Sequence, residues 1–141
     1  MLFRSVSQSR YIGVSWKIYY ERDSMKLLIF GSRGYKLTAE ELNDTLDEFG
    51  MKDSITEIVS GGADGPDSVG IDWARTNNCQ YKVFYPDWTN LGMRAGLVRN
   101  DLMVDYCDSG IAFWDGKSRG TQYTINKMKK ANKKIVIITR G

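Results

Sequence analysis

The 141-residue chain contains no histidine. That removes Ser-His-Asp and Cys-His catalysis, histidine-bearing zinc sites and imidazole as a general base. Its two cysteines, Cys79 and Cys107, stand apart rather than in a C-x-x-C pair. One chain therefore lacks the thiolates for a Cys-only zinc site, and both residues read as reduced, buried or half-buried thiols. No metal and no cofactor is expected. No apolar run approaches a membrane span, and the first residues lack the apolar core of a signal peptide. A cytoplasmic protein without membrane contact is expected. The net charge of +3 is too small to argue for nucleic acid or an anionic surface.

What is present fits one globular domain: 42% hydrophobic and 26% charged residues, in a chain long enough to bury a core. Residues 1–24 read differently from the rest. They mix polar and aromatic residues in no sustained period, carry Arg4, Arg10, Lys17 and Arg22, and end just before Met25. They read as an N-terminal extension or arm, with the domain proper at 25–141. The words "SRYIGVSWK" resemble the first strand of plant Apetala-type DNA-binding domains, found also in viral and mobile-element proteins, but such a domain needs a much longer segment.

From Met25 the chain alternates. Residues 26–30 form an apolar run. Residues 38–49 show helical spacing, with Leu42, Leu46 and Phe49 on one face, Thr38 as N-cap and Gly50 as the stop. A second strand is read at 55–60, a helix at 67–76 with Pro66 in its first turn, and a third strand at 81–85. A helix near 93–106, expected to bury Leu97, Leu102 and Met103, leads to a fourth strand at 110–114. A helix from Gly120 or Thr121 to Ala131, with Ile125 and Met128 inward, precedes a closing strand, "KKIVIITR". About five strands separated by helices, with near-continuous aliphatic runs, predict an α/β fold: a Rossmann-like doubly wound parallel sheet, helices on both faces. Ligands of such sheets bind beyond the carboxyl ends of the strands, where strand order reverses.

The loops at those ends are unusual. After the first strand comes "GSRGY", after the second "SGGADGPDS", after the third "YPDWTNLGMRAG" and after the fourth "WDGKSRGTQ". Each combines glycine with hydroxyl, Arg or Asp side chains, the composition that cradles a phosphate on backbone N–H groups at a helix N-terminus. Taken singly, Gly31 and Gly34 serve a turn, Gly61 and Gly62 serve strand–helix packing, and Gly120 and Thr121 serve a helix start. All fall on one edge of the sheet, which independent turns would not arrange. Trp88 adds an aromatic face for a stacked base, and Arg99 with Asn100 adds polar groups on the following helix. Two familiar signatures fail. Gly31-Ser32-Arg33-Gly34 has the wrong spacing for G-x-G-x-x-G, and the acidic ribose partner expected at the end of the second strand is replaced by Ser60 and Gly61. The "GKS" at 116–118 resembles a Walker loop but has Ile111 where that motif requires glycine.

Taken together, "LLIFGSRGY", "IVSGGADGPDSVGIDWA", "YPDWTNLGMRAGLVRN" and "GIAFWDGKSRGTQYTI" resemble the small stand-alone members of the SLOG superfamily. This Rossmann-like group is related to the Lonely Guy phosphoribohydrolases and DNA-processing protein A. The resemblance covers roughly residues 25–139 and implies a nucleotide or nucleotide-derived ligand, such as an ADP-ribose-like or cyclic nucleotide signal. Position by position it implies ligand contact at Gly31, Ser32, Arg33, Gly61, Gly62, Ala63, Asp67, Arg99, Asn100, Ser118, Gly120 and Thr121. Lonely Guy enzymes carry PGG-x-GT-x-x-E, whose glutamate assists cleavage of the N-glycosidic bond; here Thr124 holds that place. Asp64, Asp67, Asp87 or Asp115 could substitute, though spacing indicates none, so no catalytic residue is assigned.

Two functions compete. The first is a binding module that holds a signalling nucleotide and sequesters it, as a viral anti-defence protein in the host cytoplasm would. The second is a nucleoside-monophosphate phosphoribohydrolase or nucleotide-sugar hydrolase of the Lonely Guy type. Single-stranded DNA binding would need a basic stripe, and Lys127, Lys129, Lys130, Lys133 and Lys134 instead suit the end of a helix. Exposed apolar residues in "WARTNN" and "LMVDYC" predict a homo-oligomer, a dimer or higher.

Overall fold

A computed structural model describes residues 24–140. The segment read as an extension or arm lies, up to residue 23, outside the described residues. The elements run β1 (Met25–Gly31), α1 (Ala39–Glu48), a 3-10 turn (Lys52–Ser54), β2 (Ile55–Ser60), α2 (Pro66–Thr76) and β3 (Gln80–Val83). A short helix α3 (Trp88–Leu91) and a 3-10 turn (Gly92–Arg94) precede α4 (Ala95–Tyr106), β4 (Ser109–Trp114), α5 (Arg119–Lys130) and β5 (Lys134–Thr139). The five strands form one parallel sheet, as the alternating pattern predicts, and its order is β3-β2-β1-β4-β5.

Alternate residues of the central strands face opposite layers, because a strand's side chains change side at every residue. Leu27, Ile29, Ile58, Ile111 and Phe113 pack with Leu42, Leu46 and Trp73 of α1 and α2. Leu28, Phe30, Val59 and Ala112 pack with Met103 of α4 and Ile125 and Met128 of α5. Both faces of the sheet are thus covered, and near-continuous apolar strands are the consequence.

Local chemistry sets the helix ends. Thr38 accepts from the Glu41 amide at 3.0 Å and caps α1, whose end is the left-handed Gly50, with Met51 N–H bonding back to Leu46 O. Pro66 opens α2, where its missing N–H costs nothing. Lys133 closes α4 from outside, donating to the carbonyls of Val104 (2.6 Å), Cys107 (2.7 Å) and Asp105 (3.1 Å).

Three expectations need correction. The third strand stops at Val83 rather than Tyr85. The helix expected near 93–106 is broken at its start, because Gly92 takes a positive φ that separates α3 from the turn and helix after it. Leu97 and Leu102 are not buried but 45% and 52% exposed. The inward stripe of α4 runs at four-residue intervals through Ala95, Arg99, Met103 and Cys107, and the two leucines fall to either side of it. Both cysteines are free, Cys107 buried and Cys79 partly so. Among the described residues no helix is long and apolar enough to cross a membrane.

Candidate functional site

Strand order reverses between β1 and β4: the chain leaves β1 toward α1 on one face and β4 toward α5 on the other. The loops therefore diverge at the carboxyl edge and leave a crevice. A cavity of about 320 Å³ opens there. Its floor is apolar, from Phe30 and Met103, and its walls are polar.

The β1 loop contributes Gly31, Ser32 and Arg33. A Cβ on Gly31 would stand 2.2 Å from the Phe113 carbonyl, so a side chain is sterically excluded where β1 meets β4. Ser32 N–H donates to that same carbonyl at 2.9 Å, and its buried hydroxyl accepts from Asp115 N–H at 3.0 Å. Arg33 is exposed at the rim.

From the β2 loop, Ala63 and Asp67 line the cavity. Gly61 lies buried behind them; a Cβ there would stand 2.7 Å from Arg99 Nη1 and 2.8 Å from Asp67 Oδ2. Its bareness makes room for both side chains. Gly62, at φ +75°, turns instead toward Val83 and Tyr85 and does not line the cavity. Ser60, which the sequence reading placed only as the strand's end, is fully buried, accepts from Gly62 N–H at 3.1 Å and donates to Asp67 O at 2.9 Å. Asp67 itself is 5% exposed. Burial pushes its carboxyl up to about 6, against the lowering influence of the Ala63 N–H, the Arg99 charge and the Gly61 and Gly31 N–H groups.

Arg99 and Asn100 reach the cavity from α4. Arg99 is half-buried and also a strap: Nη1 donates to Gly61 O at 2.7 Å and Phe84 O at 3.2 Å, and Nε donates to Asn100 Oδ1 at 2.9 Å. Burial draws its pKa down; the Asp67 charge opposes this and the nearby Arg33 charge adds to it. Neither Arg33 nor Arg99 forms an ion pair with a described carboxylate.

The fourth wall comes from β4 and α5. Asp115 lies below the usual carboxylate range because Ser118 N–H and Lys117 N–H both donate to its Oδ1 at 2.8 Å. The loop "DGKS" is thus an Asx-type turn; Asp115 lines the cavity, although the sequence reading named it only among carboxylates that could replace the missing glutamate. Ser118 caps α5, accepting from Thr121 N–H, and its hydroxyl is 3.1 Å from that of Thr121. Gly120 faces open space. Thr124, where Lonely Guy enzymes carry glutamate, is buried, lines the cavity and donates to Gly120 O at 3.1 Å.

Of the residues singled out from sequence, the cavity gathers Gly31, Ser32, Arg33, Ala63, Asp67, Arg99, Asn100, Ser118, Gly120 and Thr121. Gly61 stands behind it, Gly62 beside it. Trp88 is 58% exposed at the start of α3 and does not line the cavity. Phe30 and Met103 were missed because a ligand floor and a core residue look alike in an apolar pattern. Among the described residues no cluster of three or more His, Cys, Asp or Glu is placed to hold a metal.

A family model described as YAcAr, the YspA, cpYpsA-related SLOG family, matches residues 25–90. The match spans the β1 and β2 loops of the cavity. The Gene 61 protein of Mycobacterium phage D29 is 31% identical over 115 residues, covering 75% of this chain and 90% of that protein. No solved structure matches.

Proposed function

The chain belongs to the SLOG superfamily, and from that premise we propose that it binds a nucleotide or nucleotide-derived ligand in the cavity at the carboxyl edge of the sheet. One observation carries this reading: two guanidinium groups without ion-pair partners among the described residues converge on a cavity that also presents Ser118, Thr121 and the open Gly120. Cationic and N–H donors around an apolar floor suit a phosphate joined to a base and sugar. The ligand is a signalling nucleotide, of the cyclic or ADP-ribose-like kind. Held without turnover in the cytoplasm, it would be withdrawn from the host, a role in keeping with a phage relative.

Calorimetric titration with AMP, cyclic AMP and ADP-ribose tests this. Binding of one of them, weakened tenfold or more by Arg33→Ala, is expected; no heat with any of them would sink the reading. Arg33 is the cleaner variant, because Arg99 also straps β2 to β3.

Cleavage of the N-glycosidic bond is the second reading, and the buried Asp67 carboxyl favours it, since a carboxyl near pH 6 can exchange a proton. Thr124 argues against it, for a hydroxyl tied to Gly120 O stabilises neither an oxocarbenium centre nor an attacking water. Incubation with AMP should therefore release no ribose 5-phosphate; release abolished by Asp67→Asn would establish the hydrolase instead.

A further inference from the structure

A phosphate has no use for the Asp67 carboxyl. It sits in the first turn of α2 and lines the cavity almost fully buried, where a second negative charge would be repelled. Within the protein it meets the N–H groups of Ala63, Gly61 and Gly31 and the charge of Arg99, which leaves part of the acceptor capacity of its two oxygens unused. The hydrogen bond from Ala63 N–H is long, at 3.4 Å, and Arg99, though adjacent, uses Nη1 and Nε on Gly61 O, Phe84 O and Asn100 Oδ1. Asp67 and Arg99 are not within ion-pair distance. Yet the site is built around this side chain: Ser60 holds its backbone carbonyl, and the missing Cβ of Gly61 leaves space for Oδ2. A buried carboxylate with acceptor capacity to spare calls for neutral donors from outside the protein.

Resting on the nucleotide reading above, we propose that Asp67 accepts the hydroxyl hydrogens of the ligand's ribose and makes the site selective for ribonucleotides over their deoxy analogues. Ribose offers two adjacent hydroxyls, a match for the two oxygens of one carboxylate. Asn100 supports the same contact: with Oδ1 taken by Arg99, its amide N–H groups are left to donate to a ribose oxygen. The phosphate then lies away from Asp67, toward Arg33 and the first turn of α5. A cavity of about 320 Å³ is near the small end for ligand sites and suits a mononucleotide core.

The test compares AMP, 2′-deoxy-AMP and 3′-deoxy-AMP on the full chain by titration calorimetry. Losing a hydroxyl that bonds a buried carboxylate should weaken affinity about tenfold to a hundredfold. In Asp67→Ala, AMP and its deoxy analogues should bind alike; should that variant fail to fold, the near-isosteric Asp67→Asn should at least narrow the gap. Deoxy analogues that bind the wild type as tightly as AMP would overturn the proposal and leave the nucleotide reading standing, as would an unchanged preference in a folded Asp67 variant. No binding of any of the three, nor of cyclic AMP or ADP-ribose, would remove the nucleotide reading and this one with it.

Discussion

Gly31, Gly61 and Asp67 show how much one residue decides in this site. A methyl group at residue 31 would meet a backbone carbonyl at 2.2 Å, and backbone cannot move as a side-chain tip can. Gly31→Ala should therefore destabilise the fold by about 2 kcal/mol or more, a cost comparable to core overpacking, and urea titration would read it as a lowered midpoint. At residue 61 the obstacles are the Arg99 and Asp67 side chains, which can shift. Gly61→Ala should leave a folded protein whose nucleotide affinity drops at least tenfold; unchanged affinity would show that the Arg99–Asp67 arrangement is not needed. Asp67 carries a pH signature. Its pKa in the folded chain is raised to about 6, above the ordinary aspartate value, so its proton stabilises the fold. That contribution is complete below about pH 4 and is lost as pH rises through about 6. Arg99 from α4 faces it with positive charge, and Arg33 from the β1 loop and Asp115 from the β4 loop line the same cavity with opposite signs. Asp67→Asn should be more stable than wild type at pH 7.5, by up to about 3 kcal/mol, with the advantage gone at pH 4. Equal stability at both pH values would place that carboxyl in water.

Among the elements, α5 and α4 differ in what holds their ends. Ser118 caps α5 and also lines the cavity, so Ser118→Ala should cost about 1 kcal/mol of stability and weaken nucleotide binding together. Lys133 gathers three carbonyls at the end of α4, far from the ligand edge. Lys133→Met should lower thermal stability by about 1 to 2 kcal/mol while leaving affinity untouched, which separates the two effects in one pair of melts and titrations. The α4 stripe also explains the failed burial of Leu97 and Leu102. Their spacing looked apolar and helical, but Arg99, which serves the site, occupies the centre of the inward face, and the leucines are left at its flanks.

At the scale of the whole molecule, Trp73 and Ala74 of "WARTNN" are buried, contrary to the expectation of an exposed apolar stretch there, and the exposed apolar side chains are instead those leucines, Met93 and Trp88. We propose that a second copy of the chain covers them. Light scattering should give a dimer mass, and Leu97→Glu with Leu102→Glu a monomer; a monomeric wild type would refute this. The doubly wound sheet was legible in the amino-acid pattern alone. Aliphatic runs of strand length, a helix cap at Thr38 and glycine stops such as Gly50 act over a few residues, and the right-handed crossover rule converts their order into a parallel sheet. The strand-end loops, with Arg99 and Asn100 on the helix after them, drew attention to that edge of the sheet, and the SLOG resemblance named ten of the residues that line the cavity. Tertiary structure decided what those residues do to each other. Only strand order brings Asp67, which comes after β2, beside Arg99, which precedes β4, and only packing buries that carboxyl enough to raise its pKa. Trp88 lies outside the cavity for the same reason: sequence places a residue at a strand's end, whereas the path of α3 and the turn at Gly92 set where its ring lies. Burial and charge proximity are sums over neighbours distant in the chain, so they exist only once the chain has folded.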